Sequence, residues 1–305
     1  HIINFNFHKP FNDDIAKRII TIAYPIIFAN MSRAIMGLVD MLMVSRLGYK
    51  SIAAVGLGEM IVFCIIASIG ISFMTSSQTL TSRRYGEDNF TDCGNTLFNG
   101  QLLGLCFSIP IAVIGFIYCK YLIEFILNDP ETIKECIKYT SIQFIGISFP
   151  IGTFIFRGFF TGIQKTSIYL KVVLLSNIIN IYLNFALIFG SENIHNYFTS
   201  VNISYIKYIG LLWTIFPYPE LGIKGAALGT VFSSFIAFLV YQLYYFSKPF
   251  YKFRPQNIKI NYLNLANHFK LSWPIIKREG SVMFAELFFL SIIGKIGTLQ
   301  LAASN

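Results

Sequence analysis

Charge is what this sequence has least of. Of its 305 residues only 13% are Asp, Glu, Lys or Arg, and 15 of them are carboxylates; an average soluble domain carries about 25% charged residues. That density cannot cover a soluble surface, so a soluble globular enzyme is excluded, and a disordered chain more firmly still. Cysteine is scarce as well. Cys64, Cys93, Cys106, Cys119 and Cys136 are odd in number and form no CxxC pair, which argues against a disulfide framework or a thiolate cluster and leaves packed or lipid-facing thiols. No HExxH, Walker loop or GxSxG occurs, and Gly56-Leu57-Gly58 lacks the following glycine of a dinucleotide fingerprint. The four histidines, His1, His8, His195 and His268, are scattered outside the apolar runs. No catalytic constellation is present, so the chain reads as no enzyme and as needing no cofactor.

What is present is apolar. Hydrophobic residues make up 54% of the chain and aromatics 16%, and the mean hydropathy is +0.60. Seven runs approach or exceed the ~20 residues a transmembrane helix needs: 19–45, 51–80, 96–119, 136–160, 168–190, 222–246 and 271–293. The fold class is therefore an all-α polytopic membrane protein. Ile203–Phe216 is apolar but too short to span, and is expected at the interface. The net charge of +9 does not point to nucleic acid, because the basic residues sit between the apolar runs. With the N-terminus inside, twelve Lys or Arg fall in cytoplasmic segments against seven outside, which favours that orientation.

The chain also repeats itself. Tyr24-Pro25-Ile26-Ile27 matches Trp273-Pro274-Ile275-Ile276 at an offset of 249, and Ser32 meets Ser281, Arg46 meets Lys295 and Gly48 meets Gly297 at the same offset. Ala53-Ala54 meets Ala302-Ala303 as well. Repeated halves around a central site are a transporter pattern. Four segments are expected: a cytoplasmic segment over 1–18, a six-helix lobe over 19–246, an inter-lobe cytoplasmic loop over 247–270, and over 271–305 the helix that opens a second lobe. The chain starts at His1 and stops inside an apolar run at Asn305, so both ends are expected to be cut, and the whole protein is expected to hold twelve spans.

Charged groups inside spans are costly and default to functional candidates. Asp40 and Arg33 lie in the first span, seven residues apart on one helical face, so the bland reading of Asp40 is a pair with Arg33. Its functional reading gains from Pro25, which removes a backbone bond and lets the helix bend. Asn177, Asn180 and Asn184 share one face of the fifth span and either bond across helices or line a polar cavity. Glu279 and Glu286 share a face of the seventh, with a cavity role open. Glu59 and Lys295 sit near span ends and read as solvated or snorkelling. Gly100/Gly104, Gly158/Gly162 and Gly225/Gly229 have the spacing of close helix packing.

Several of these residues carry a resemblance. Pro25-Ile26-Ile27, Gly37-Leu38-Val39-Asp40, Arg46-Leu47-Gly48 and Ala53-Ala54-Val55-Gly56 resemble the first helix and loop of multidrug and toxic compound extrusion (MATE) transporters. The likeness continues through Arg157-Gly158, through the asparagines Asn177, Asn180 and Asn184, and through Gly222-Ile223-Lys224-Gly225-Ala226-Ala227-Leu228-Gly229-Thr230. It implies two six-helix lobes, alternating access, and export of organic cations or amphipathic drugs in exchange for protons or sodium. It further implies that Asp40 belongs to the cation-coupling site, with sodium at Asp40 as one form. In DinF-like members an asparagine, an aspartate and a threonine join it; Asn180 and Thr230 match, while Asn184 stands where those members have aspartate. In NorM-like members a seventh-span glutamate holds the ion, and Val282 occupies that position, between Glu279 and Glu286. A lipid-linked precursor flippase of the same superfamily is the first alternative, and a non-transporting membrane lobe or scaffold the second. The expected setting is a bacterial inner membrane, the expected partners the bilayer and small-molecule substrates, and the full-length protein is expected to be a monomer.

Overall fold

The protein was analysed as a computed structural model that describes residues 13–200, 213, 216–255, 260 and 262–296. Helix α1 (Asp13–Ser45) contains the apolar stretch Ile19–Ser45, with the bounds read from sequence, and begins within the segment expected to precede it. A turn through Gly48, whose φ of 105° suits glycine, reverses the chain into α2 (Tyr49–Gly86). Thirty-eight residues at 1.5 Å each make α2 about 57 Å long, and a π-helical turn at Ala67–Ile71 interrupts it. Helix α3 (Phe90–Ile126) follows. The fourth apolar run is split into α4 (Pro130–Gly146) and α5 (Ser148–Gly162), which meet at 47°. Pro150 explains the break: it lacks an N–H, and its ring crowds the carbonyl of Gly146 one turn earlier. Helices α6 (Thr166–Phe189), α7 (Ser191–Ser200) and α8 (Ile223–Tyr245) come next. A 3₁₀ turn at Lys248–Phe253 precedes α9 (Tyr262–Ile296).

Among the described residues, five helices are long and apolar enough to cross a membrane, or six if the bent α4–α5 pair is one span. No strand occurs among them. The chain is a multi-pass membrane protein. Leu38, Phe125 and Leu243 point outward and exposed, as lipid permits. One expectation needs correcting. The seventh run does form a 35-residue helix, but Lys277, Arg278, Glu279 and Glu286 interrupt it, and it is not among the helices apolar enough to span. The repeat leaves a physical trace even so: Pro25 and Pro274 each lie inside a long helix, α1 and α9. Most of the segment expected at the interface, and the Ala302-Ala303 end of the repeat, lie outside the described residues.

Packing sets the frame for the site. Helix α6 lies between α1 and α8, while α5 packs on the second half of α2, and α9 packs on α2 and α3. The α2–α5 contact is backbone-close, since a Cβ on Gly158 would strike the carbonyl of Met74. Aromatic rings fill the junction of α5, α8 and the 3₁₀ turn. Phe156 stacks on Tyr241 at 5.6 Å, and Phe159 meets Phe253 edge-on at 5.7 Å.

Candidate functional site

Where α1, α6 and α8 meet, Asp40 is held by an amide and not by a cation. Asn184 Nδ2 donates to Asp40 Oδ1 at 2.7 Å and to Asn180 Oδ1 at 3.0 Å. Asn180 Nδ2 donates in turn to Ser233 Oγ at 3.3 Å, and Ser233 Oγ to the carbonyl of Thr230 at 2.9 Å. Thr230 Oγ1 donates back to the carbonyl of Ala226 at 3.0 Å. The chain of polar groups thus runs from α1 through α6 to α8. The three-residue and four-residue spacing of the asparagines places them on the face of α6 that α1 and α8 cover. Asn180 and Asn184 are buried, and Gly229 leaves the room that the Asn184 side chain occupies. One acceptor is left over: Asn184 Oδ1 is buried with no hydrogen-bond partner.

Asn177 plays a different part. Its Nδ2 donates to the carbonyl of Ser32 at 3.1 Å and to Ser32 Oγ at 2.8 Å, fastening α6 to α1. Tyr169 adds a third tie, donating to Asn30 Oδ1 at 3.0 Å. Arg33 makes no ion pair with Asp40. Its guanidinium sits 5.7 Å over the ring of Phe154 and lines a cavity of about 160 Å³ among α1, α5, α6 and α8. The bland reading of Asp40, a simple Arg33 partner, is therefore replaced by the amide network. Pro25 lies within an unbroken α1, and the 47° bend of this bundle falls at Ile147 instead.

Glu279 is paired with the neighbouring Arg278, whose Nε donates to it at 3.0 Å. Glu286 faces Cys64 across the α2–α9 contact and is exposed. Neither joins the Asp40 network. Glu59, expected to be solvated at a span end, is exposed, and its charge still reaches Asp40 and Tyr139, which puts a second carboxylate beside the site. The signal lay in the hairpin: counting residues either way from the Gly48 turn brings α1 and α2 side by side, with Asp40 eight residues before the turn and Glu59 eleven after it. Arg157, read only as part of a motif, lines the Arg33 cavity.

The MatE family pattern matches residues 25–186 of the chain. This chain belongs to the MatE family. The matched stretch includes Asp40, Glu59, Asn177, Asn180 and Asn184; Thr230 lies beyond it. The chain is 25% identical over 295 residues to a probable multidrug resistance protein NorM of Photorhabdus laumondii, covering 95% of this chain and 58% of that one. It is 29% identical over 227 residues to a probable multidrug resistance protein YoeA of Bacillus subtilis, covering 72% and 42%. This MatE-family chain thus spans about half the length of these curated relatives. A MOP superfamily transporter from Pyrococcus furiosus has the same fold, with a TM-score of 0.73 at 18% identity over 89% of this chain and 54% of that one. An inward-facing MATE family transporter superposes at 0.71 with 19% identity, covering 88% and 55%.

Proposed function

We propose that this MatE-family chain supplies the ion-coupled part of a secondary antiporter, one that exports amphipathic compounds, organic cations among them, in exchange for protons or sodium ions. The observation that carries the reading is the Asp40–Asn184 contact at 2.7 Å, beside an Asn184 carbonyl oxygen that is buried without a donor. A carboxylate, amide oxygens and a hydroxyl are the donors a hard cation prefers, and the carboxylate alone suffices for a proton. Relatives named as multidrug resistance proteins support the substrate class.

This reading implies a coupling step. A charge-assisted hydrogen bond is roughly twice as strong as a neutral one, so ionised Asp40 holds α1 against Asn184 of α6. An arriving cation neutralises Asp40 and weakens that bond, while the Asn177 and Tyr169 hydrogen bonds still tie α1 to α6. Pro25 then gives α1 a weak point in its backbone ladder at which to bend. Coupling requires that the ion bind the two conformations with different affinity, and the hydrogen bond that one state keeps and the other loses is that difference. The same reading places the protein in a bacterial inner membrane as a monomer, with residues 1–18 and 247–270 cytoplasmic, residues 19–246 as the first lobe and residues 271–305 opening the second.

The test uses the full-length protein in proteoliposomes and efflux of a fluorescent organic cation, under a pH gradient and then a sodium gradient. Wild type is expected to export under one of them, which names the ion, and Asp40→Asn is expected to export under neither. An active Asp40→Asn overturns the mechanism.

A further inference from the structure

Arg33 sits at the middle of its span. Twelve residues separate it from Ser45, which at 1.5 Å per residue is about 18 Å, too far for the side chain to snorkel to water. An arginine at that depth faces a partner or a cavity. Here it faces a cavity that holds a second one: Arg157 lines the same 160 Å³ space from α5 and stacks over Tyr169 at 4.1 Å. Among the described residues neither has a carboxylate within ion-pair distance, and the cavity lining contains no Asp or Glu. Ser176, Thr153 and Ser234 add hydroxyl groups, while Phe154, Val172 and Ala237 supply apolar surface beside them. Two cations without a carboxylate partner, beside hydroxyl groups and apolar side chains, complement an anion attached to a hydrophobic body.

We infer that the cavity between Arg33 and Arg157 binds the anionic head group, a carboxylate, sulfonate or phosphate, of an amphipathic molecule. The inference rests on the transport reading above and narrows it, because it assigns the first lobe a subsite for anionic amphiphiles where the resemblance implies organic cations. Planar guanidinium forks bind such heads bidentately. The head group belongs either to a free amphiphile, which is then the transported substrate, or to a membrane lipid.

The test is equilibrium binding of three dansyl probes to the full-length protein in phosphatidylcholine nanodiscs, corrected for empty discs. The probes are N-dansylphenylalanine, its neutral methyl ester, and the cation dansylcadaverine. Wild type is expected to bind the carboxylate about tenfold more tightly than the ester, as one charge-assisted contact requires. Arg33→Gln and Arg157→Gln should each erase most of that preference without weakening dansylcadaverine. Arg33→Lys and Arg157→Lys should retain part of it, and they stand in if a glutamine variant fails to elute as a monodisperse peak. Repeating the titration in discs containing phosphatidylglycerol separates the sources. Competition by that lipid in wild type, absent in Arg33→Gln, assigns the site to a lipid head group; no competition assigns it to a free substrate. No carboxylate preference, or a preference that all the arginine variants retain, overturns the inference. Carboxylate preference in a protein without gradient-driven efflux overturns the antiport reading alone and leaves the anion site standing.

Discussion

An aspartate inside an apolar helix needs a partner, and in this chain the partner is chosen by α6. Asn184 reaches Asp40 with a donor, passes a second bond to Asn180, and leaves Arg33 to the neighbouring cavity. Glu59 then becomes the residue whose role is sharpest to test, because it brings a second negative charge to a site where Asn184 adds none. Glu59→Gln is expected to fold normally and to lower the number of cations exchanged per substrate. Charge-coupled uptake compared with substrate efflux in proteoliposomes measures that ratio; an unchanged ratio removes Glu59 from the coupling site. Asp40 and the asparagine stripe were legible in the sequence, since a lone acid in an apolar run and a helical period of amides are local patterns. Glu59 and Arg157 were not. Their meaning depends on which helices a hairpin and a bend lay side by side, and no local pattern records that.

Helices were legible wherever hydrophobic length decides them, and misread where backbone chemistry does. Ile19–Ser45 has the bounds its apolar run set, but the fourth run reads as one continuous span although Pro150 breaks it at Ile147. The new helix start that follows Leu127 is anchored by Asp129, whose carboxylate accepts from the backbone N–H of Thr132 at 3.0 Å and from its hydroxyl at 2.6 Å. Those two bonds hold the Asp129 carboxyl below its usual range. A depressed carboxylate contributes its full stability above the ordinary aspartate value of 3.8 and loses it as pH falls through the lower folded value. Asp129→Ala should therefore cost about 1 kcal/mol at neutral pH, and the gap from wild type in thermal unfolding should close in strong acid. The Gly158/Gly162 spacing correctly announced close packing. Gly158→Ala sets a methyl group against the carbonyl of Met74 and should cost on the order of 1–3 kcal/mol, seen as a lower unfolding temperature in detergent.

At the scale of the molecule the open question is which body carries α9. Its sequence repeats α1, which argues that it opens a second lobe, yet its contacts run to α2 and α3. His268 is fully buried; its Nδ1 lies 3.1 Å from Ser76 Oγ and its Nε2 lies 3.0 Å from the carbonyl of Thr96. One turn on, Ser272 Oγ donates to the carbonyl of Ser72 at 3.3 Å. Buried polar contacts of this kind are costly to break without replacement, so α9 is expected to stay seated on α2 and α3 while the remainder of an alternating-access cycle proceeds. A cross-link decides it. With the native cysteines of the full-length protein replaced, Ser72→Cys and Ser272→Cys bring two thiols to this contact, and an oxidant closes them. Efflux that survives oxidation shows α9 riding with the first lobe throughout the cycle. Efflux that stops on oxidation and returns with a reductant shows that the contact must open, and the His268 anchor is then one of the bonds that distinguishes the two conformations.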